Sequence, residues 1–229
     1  MFDGNWRQGV DQVVRPMGRN LHRAGVTADM LTVLGLLMSA AMAVVVGMGY
    51  LQLGLVLLVA TAIPDLLDGP VSKAAGTSSK RGAFFDSTAD RVTDAMLLGG
   101  IAWYLASQPG AGRIAVLPFA VMASSSLISY QRAKAESLGY EAKGGLMERA
   151  ERIIVLAVGL LFEGLLIPVL WVLLVGTIGT AIFRFQKVWK QASKDRPAPA
   201  PRERDVWRTR RRARDQRRAA VNRRRNSRN

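Results

Sequence analysis

The chain has 229 residues, 32 Lys and Arg against 17 Asp and Glu, a formal charge of +15 and a pI near 11.2. Such a charge first points to nucleic acid, yet 49% of the residues are hydrophobic and the mean hydropathy is +0.12, which excludes a ribosomal or histone-like protein. Cysteine is absent and His22 is the single histidine, which excludes disulfides, thiolate or His-cluster zinc sites and most Ser–His arrangements.

The two properties coexist because they are segregated. Residues 187–229 carry 17 Lys and Arg against 4 Asp and Glu, a net of +13, whereas residues 1–186 carry 15 against 13. Any acid–base or metal chemistry in the nearly neutral body must use carboxylates, Lys, Tyr or backbone.

In chain order, residues 1–29 read as a polar, basic juxtamembrane segment, expected to lie in the cytoplasm and to carry no signal peptide. Residues 5–24 place Val10, Val13, Val14, Met17 and Leu21 at helical spacing with Arg7, Arg15, Arg19 and Arg23 around the remaining surface. That pattern predicts an amphipathic helix in a membrane interface, kinked or restarted at Pro16. From Leu31 to Ile63 there is no charged residue. The stretch exceeds the ~20 residues of one span, and Gly47, Met48 and Gly49 divide it into spans over 31–49 and 51–64. The apolar stretch 95–107 reaches span length only if its helix begins near Ala83 and takes in charged residues. A fourth span covers 114–130 and ends at the basic segment Arg132 to Arg152. Residues 153–183 hold one charge, Glu163, beside Gly164 and shortly before Pro168. They read as a hairpin of two further spans, a single long kinked span being the alternative.

Orientation separates those alternatives. With six spans, Arg7 to Arg23, Lys73, Lys80, Arg81, Arg132, Lys134, Lys143, Arg149, Arg152, Arg184 and the tail all fall on one face, leaving Arg113 on the other. The positive-inside rule requires that distribution, whereas five spans would export the tail. The expected architecture is an all-α integral membrane protein of six transmembrane helices, preceded by the interfacial helix. It forms a membrane catalytic domain over 30–190 in the cell membrane, both termini cytoplasmic. Residues 191–229 form a basic tail, expected to be disordered beyond the PAPAP spacer at 197–201 and to lie on anionic lipid; nucleic acid is the alternative partner.

Charged groups beside spans are costly and mark function. Asp65 and Asp68 are i,i+3; Asp86 and Asp90 are i,i+4, with Asp94 continuing that stripe, so each set shares a helix face. The short loop AAGTSSKR between them lets the two faces converge. Carboxylates without cysteine or histidine make a hard-cation site, Mg²⁺ or Mn²⁺. The alternative is a salt-bridge belt with Lys73, Lys80, Arg81 and Arg91.

The segment from Asp65 to Asp90 resembles the signature of the CDP-alcohol phosphatidyltransferases, D-x2-D-G-x2-A-R-x8-G-x3-D-x3-D. Asp65, Asp68, Gly69, Gly82, Asp86 and Asp90 match in register, and Ser72-Lys73 replaces Ala-Arg. Lysine keeps the positive charge but loses the bidentate fork. VTADMLT at 26–32 is similar to the family's entry to its first span. SYQRAKAESLG at 129–139, GGLMERAER at 144–152 and the segment after Arg184 resemble the actinobacterial phosphatidylinositol phosphate synthase branch.

That resemblance implies that Asp65, Asp68 and Asp86 hold two metal ions, Mg²⁺ or Mn²⁺, that clamp the diphosphate of CDP-diacylglycerol. It implies that Asp90 is the general base toward the acceptor hydroxyl. Asp29, Met30, Leu31, Thr32, Gly69, Lys73, Ser79 and Gly82 would contact the donor. Arg132, Lys134, Arg149, Arg152 and Arg184 sit at helix ends on the side of the aspartates, which suits a phosphate-bearing acceptor. In the branch resembled, positions matching Ser129, Arg132, Lys134, Arg152 and Arg184 bind inositol phosphate. The expected reaction yields phosphatidylinositol phosphate and CMP. Glycerol 3-phosphate as acceptor, giving phosphatidylglycerophosphate, is the alternative within the class; a divalent-cation channel or transporter is the alternative outside it. A homodimer is a further implication of the resemblance.

Overall fold

The computed structural model describes residues 16–17, 20–21, 23–74, 79–110 and 112–195, leaving aside the side chains at 65–66, 68–70, 73 and 74. All regular structure among these residues is helical. In chain order the long helices are α1 (Ala28–Gly47), α2 (Leu51–Ala74), α3 (Lys80–Ser107), α4 (Leu117–Ser137), α5 (Arg149–Leu161) and α6 (Leu166–Ala192). Of the interfacial helix expected over 5–24, Pro16, Met17, Asn20, Leu21 and Arg23 are helical, Ala24 is already in a turn, and the rest lies outside the described residues, as does the tail beyond Asp195. The chain divides into two units, Met1–Val188 and Trp189–Asn229.

Local chemistry sets the boundaries. Thr27 is extended and its hydroxyl accepts the Met30 N–H at 3.2 Å, capping α1 with Asp29 in the first turn. The turn after α1 needs Gly49, whose φ of +94° only glycine adopts without strain. α2 runs on through Pro64 to Ala74, carrying the segment of Asp65 and Asp68 as helix. Ser79 caps α3, its Oγ accepting the Gly82 N–H at 3.1 Å, so the helix starts at Lys80 and includes its charged half, as the span-length argument required. Between α5 and α6, Phe162 is extended (φ −119°, ψ 97°) and Glu163–Leu165 form a 3-10 turn. The stretch is therefore a hairpin and not one kinked helix. Glu163 accepts the Tyr104 hydroxyl from the end of α3.

α1 packs along both α2 and α3, α3 also meets α4, and α2 meets α5. One core joins Met42 and Val46 of α1, Leu58 of α2, Ile101 of α3, Val121 of α4, Leu160 of α5 and Leu170 of α6. A smaller cluster of Leu31, Leu67 and Val71 takes in Leu21 and Val26 at the aspartate end. The outer surface is apolar: Leu37 is 65% exposed, Val56 62% and Val175 69%. Among the described residues, Ala28–Gly47, Gly112–Ser137 and Glu163–Ala192 are long and apolar enough to cross a membrane, with Leu51–Pro64 a shorter apolar helix. Apolar helices with apolar outer faces identify a membrane protein, because lipid, unlike water, imposes no cost on that surface. α5, at 13 residues, rises about 20 Å, less than the ~30 Å hydrocarbon core.

Candidate active site

The aspartates stand where three helices and the start of a fourth meet. Because α1 lies against both α2 and α3, a narrow cleft of about 70 Å³ opens between them and the first turn of α5. Its walls include Leu31 and Thr32 of α1, Thr61 and Pro64 of α2, Asp86, Asp90 and Asp94 of α3, and Arg149 of α5. Asp65 and Asp68 follow Pro64 along α2, with side chains outside those described.

Asp86, Asp90 and Asp94, one turn apart on one helix face, have different surroundings. Among the described residues no basic side chain bridges to half-buried Asp86. Asp90 Oδ1 accepts from Arg149 Nη1 at 2.7 Å, and its Oδ2 is 3.5 Å from Arg91 Nη2. Asp94 Oδ2 accepts from Arg152 Nη2 at 3.0 Å, and Oδ1 lies 3.5 Å from Arg149 Nε. Asp94, expected to extend the carboxylate stripe toward a cation, is thus an arginine partner. Within the alternative belt, Arg91 does meet Asp90, but Arg81 turns away to pair with Asp29 at 3.1 Å. Like charges one turn apart repel, and arginines from α5 offset them here.

No group of three carboxylate or histidine side chains close enough to hold a metal forms among the described residues. Of the three expected ligands only Asp86 has a described side chain. Its environment fits a hard cation: a half-buried carboxylate lining the cleft, among neighbours without soft ligands.

On the donor side, Leu31 and Thr32 line the cleft, and the Thr32 hydroxyl donates to Ala28 O at 3.1 Å. Met30 is exposed, and Asp29 is held by Arg81. Ser79 serves as the α3 cap. At Gly82 a Cβ would meet only Ser79 Oγ, at 3.5 Å, so nothing in the described protein excludes a side chain there. Lys73 belongs to α2, with its side chain outside those described, and Gly69 lies on the same helix between Asp68 and Lys73.

The expected acceptor residues divide into groups. Arg152 is buried beside Asp94 and also donates to Met147 O at 3.4 Å. Ser129, Arg132 and Lys134 lie on α4 and do not line the cleft. The Ser129 hydroxyl donates to Ser125 O at 3.1 Å, Arg132 Nε pairs with Glu136 at 2.9 Å, and Lys134 is exposed. Arg184 is 3% exposed, and its guanidinium reaches Gly144 O at 3.0 Å, Ile128 O at 3.2 Å and Glu148 at 2.9 Å. It fastens the segment before α5 onto α4 and α6.

The residue that sequence reasoning passed over is Arg149, counted only as one of several cations. Its signal was present: Arg149 and Arg152 are i,i+3 at the start of α5, a spacing complementary to the i,i+4 pair Asp90 and Asp94.

Comparison with known proteins agrees with the motif. Residues 25–183 match the CDP-alcohol phosphatidyltransferase family. The chain is 34% identical over 189 residues to the phosphatidylinositol phosphate synthase of Mycobacteroides abscessus, covering 80% of this chain and 86% of that one. It is 35% identical over 186 residues to the enzyme of the same name from Corynebacterium glutamicum, covering 78% and 84%. Among solved structures it resembles Mycobacterium tuberculosis phosphatidylinositol phosphate synthase with CDP-DAG bound, at a TM-score of 0.76 and 30% identity over 82% of this chain and 99% of that one. The same enzyme with manganese and citrate gives a TM-score of 0.75, at 30% identity over 84% and 97%.

Proposed function

The chain belongs to the CDP-alcohol phosphatidyltransferase family, and we propose that it transfers a phosphatidyl group from CDP-diacylglycerol to the hydroxyl of inositol phosphate. The products are phosphatidylinositol phosphate and CMP. The observation that carries this reading is the cleft in which Asp86 and Asp90, one turn apart, face the start of α1 and Arg149. A solved relative with CDP-DAG bound supports the donor, and a relative with manganese supports a divalent ion.

Asp65, Asp68 and Asp86 hold two ions, Mg²⁺ in the cell or Mn²⁺. When bound, the metal neutralises charge on the attacked phosphorus and on departing CMP. Leu31 and Thr32 wall the donor position, with Asp29 and Met30 at its mouth. Ser79 orders the α3 N-terminus so that Gly82 presents bare backbone, and Gly69 and Lys73 complete the donor contacts. Asp90 takes the proton of the acceptor hydroxyl as its oxygen bonds to the diacylglycerol-bearing phosphorus and the bond to CMP breaks. Arg152, with Arg132, Lys134 and Arg184, supplies the cationic surround that favours a phosphorylated acceptor over free inositol or serine, and Ser129 adds a hydroxyl.

The catalytic unit sits in the cell membrane as six spans behind the interfacial helix, termini cytoplasmic, in a homodimer whose tail lies on anionic lipid. α5 supports a sixth crossing only with help from a tilt or a thinned bilayer.

The test is CMP release from CDP-diacylglycerol and Mg²⁺ with inositol phosphate, glycerol 3-phosphate, inositol or serine, each alone. Inositol phosphate is expected to give the fastest release, with phosphatidylinositol phosphate as lipid product. Turnover with glycerol 3-phosphate alone would reassign the acceptor, and no turnover with any acceptor would overturn the reading.

A further inference from the structure

The proposed base is occupied. Arg149 Nη1 donates to Asp90 Oδ1 at 2.7 Å, and Arg91 stands 3.5 Å from the other oxygen. A carboxylate oxygen filled by a guanidinium at that distance is poorly placed to take a proton from an approaching hydroxyl. Arg149 also stands beside a second carboxylate: its Nε is 3.5 Å from Asp94 Oδ1, without a hydrogen bond, and Asp94 is held at its other oxygen by buried Arg152 at 3.0 Å. The guanidinium therefore lies between two carboxylates, with Asp90 the closer contact, and a shift away from Asp90 keeps it beside Asp94. It lines the cleft and is 23% exposed, so its guanidinium is reachable by a ligand.

We infer that Arg149 is a positioning residue that holds Asp90 until the phosphate of the acceptor draws it away, so that the base is released only when an acceptor is seated. This rests on the synthase reading above. Its consequence is selectivity against water. Without such a guard, water could lose its proton to Asp90, bond to the diacylglycerol-bearing phosphorus and expel CMP, converting CDP-diacylglycerol and water to phosphatidic acid and CMP. A dianionic phosphate competes well for Arg149 because it accepts from two of the guanidinium's N–H groups at once. A neutral polyol has no such claim.

Three measurements on the full-length enzyme in detergent test this. In the wild type without acceptor, inorganic phosphate should raise CMP and phosphatidic acid formation severalfold by drawing Arg149 from Asp90. In Arg149→Gln that water reaction should be high without phosphate and unresponsive to it, while KM for inositol phosphate rises about tenfold or more, as expected for loss of a charged hydrogen bond. Arg149→Lys should recover part of the KM but not the suppression of hydrolysis. With EDTA present, inositol phosphate should raise the Tm of the wild type and not of Arg149→Gln. No response of the wild-type water reaction to phosphate would overturn the inference, as would Arg149→Gln with unchanged KM and hydrolysis. Because the phosphate response is read on unmodified protein, a poorly folded variant leaves the inference testable. A wild type that turns over inositol phosphate but fails here sinks only the guard; one that accepts no acceptor sinks the synthase reading.

Discussion

Gly100 of α3 and Ala43 of α1 meet backbone to backbone. A Cβ on Gly100 would stand 2.5 Å from the Ala43 carbonyl oxygen and 2.9 Å from its Cα. This close crossing sets the distance between the helix that carries Leu31 and Thr32 and the helix that carries Asp86 and Asp90.

Gly100→Ala should therefore force α1 and α3 apart, lowering stability by about 1–3 kcal/mol as overpacking does, with turnover reduced as well. The neighbouring Gly99→Ala is the control, since a Cβ there meets nothing within 4 Å. Thermal melts in one detergent compare them, and equal Tm values would refute the close-crossing argument.

Asp86 and Asp90 should separate by phenotype. Asp86→Asn is expected to weaken Mn²⁺ binding, read by calorimetry, and to abolish CMP release. Asp90→Asn should keep Mn²⁺ affinity near wild type while kcat falls about 10²–10⁴-fold, the usual contribution of a general base. Normal turnover in Asp90→Asn would remove the base assignment.

Gly82→Ala should fold normally, because the nearest atom to the new Cβ is Ser79 Oγ at an ordinary 3.5 Å. If the backbone there approaches the donor, KM for CDP-diacylglycerol rises while Tm holds. An unchanged KM would mean that the motif glycine makes no close contact with nucleotide.

Arg184→Gln removes hydrogen bonds to Gly144 O, Ile128 O and Glu148 from a nearly fully buried position. A loss of about 2–3 kcal/mol is expected, scaled to charged hydrogen bonds with one partner partly exposed. Proteolysis between residues 139 and 148 should speed up in parallel. Stability and proteolysis at wild-type levels would show that Arg184 does not fasten that segment.

Much of the fold was legible. The uncharged run from Leu31 to Ile63, its break at Gly47 to Gly49 and the helical spacing of the aspartates each depend on short-range rules, and each appears as helix, turn and helix face. The extension of α3 back to Lys80 was also legible, because 95–107 alone was too short to span. The Phe162–Leu165 break had a weaker signal, Gly164 and Pro168 fitting either a hairpin or a kink. Its placement follows from packing Leu160 and Leu166 into one core.

The sequence by itself determined which residues carry the chemistry: a near-neutral apolar body, carboxylates at i,i+3 and i,i+4, and a family signature in register. Those features are local in the chain, and local spacing fixes which side chains share a helix face. Only the tertiary structure decided how the carboxylates are used. Asp90 and Asp94 meet arginines more than fifty positions away on α5, while Asp86 meets none among the described residues. Coulombic pairing depends on distance in space, and helix packing, which short-range spacing does not reveal, brings α5 to α3.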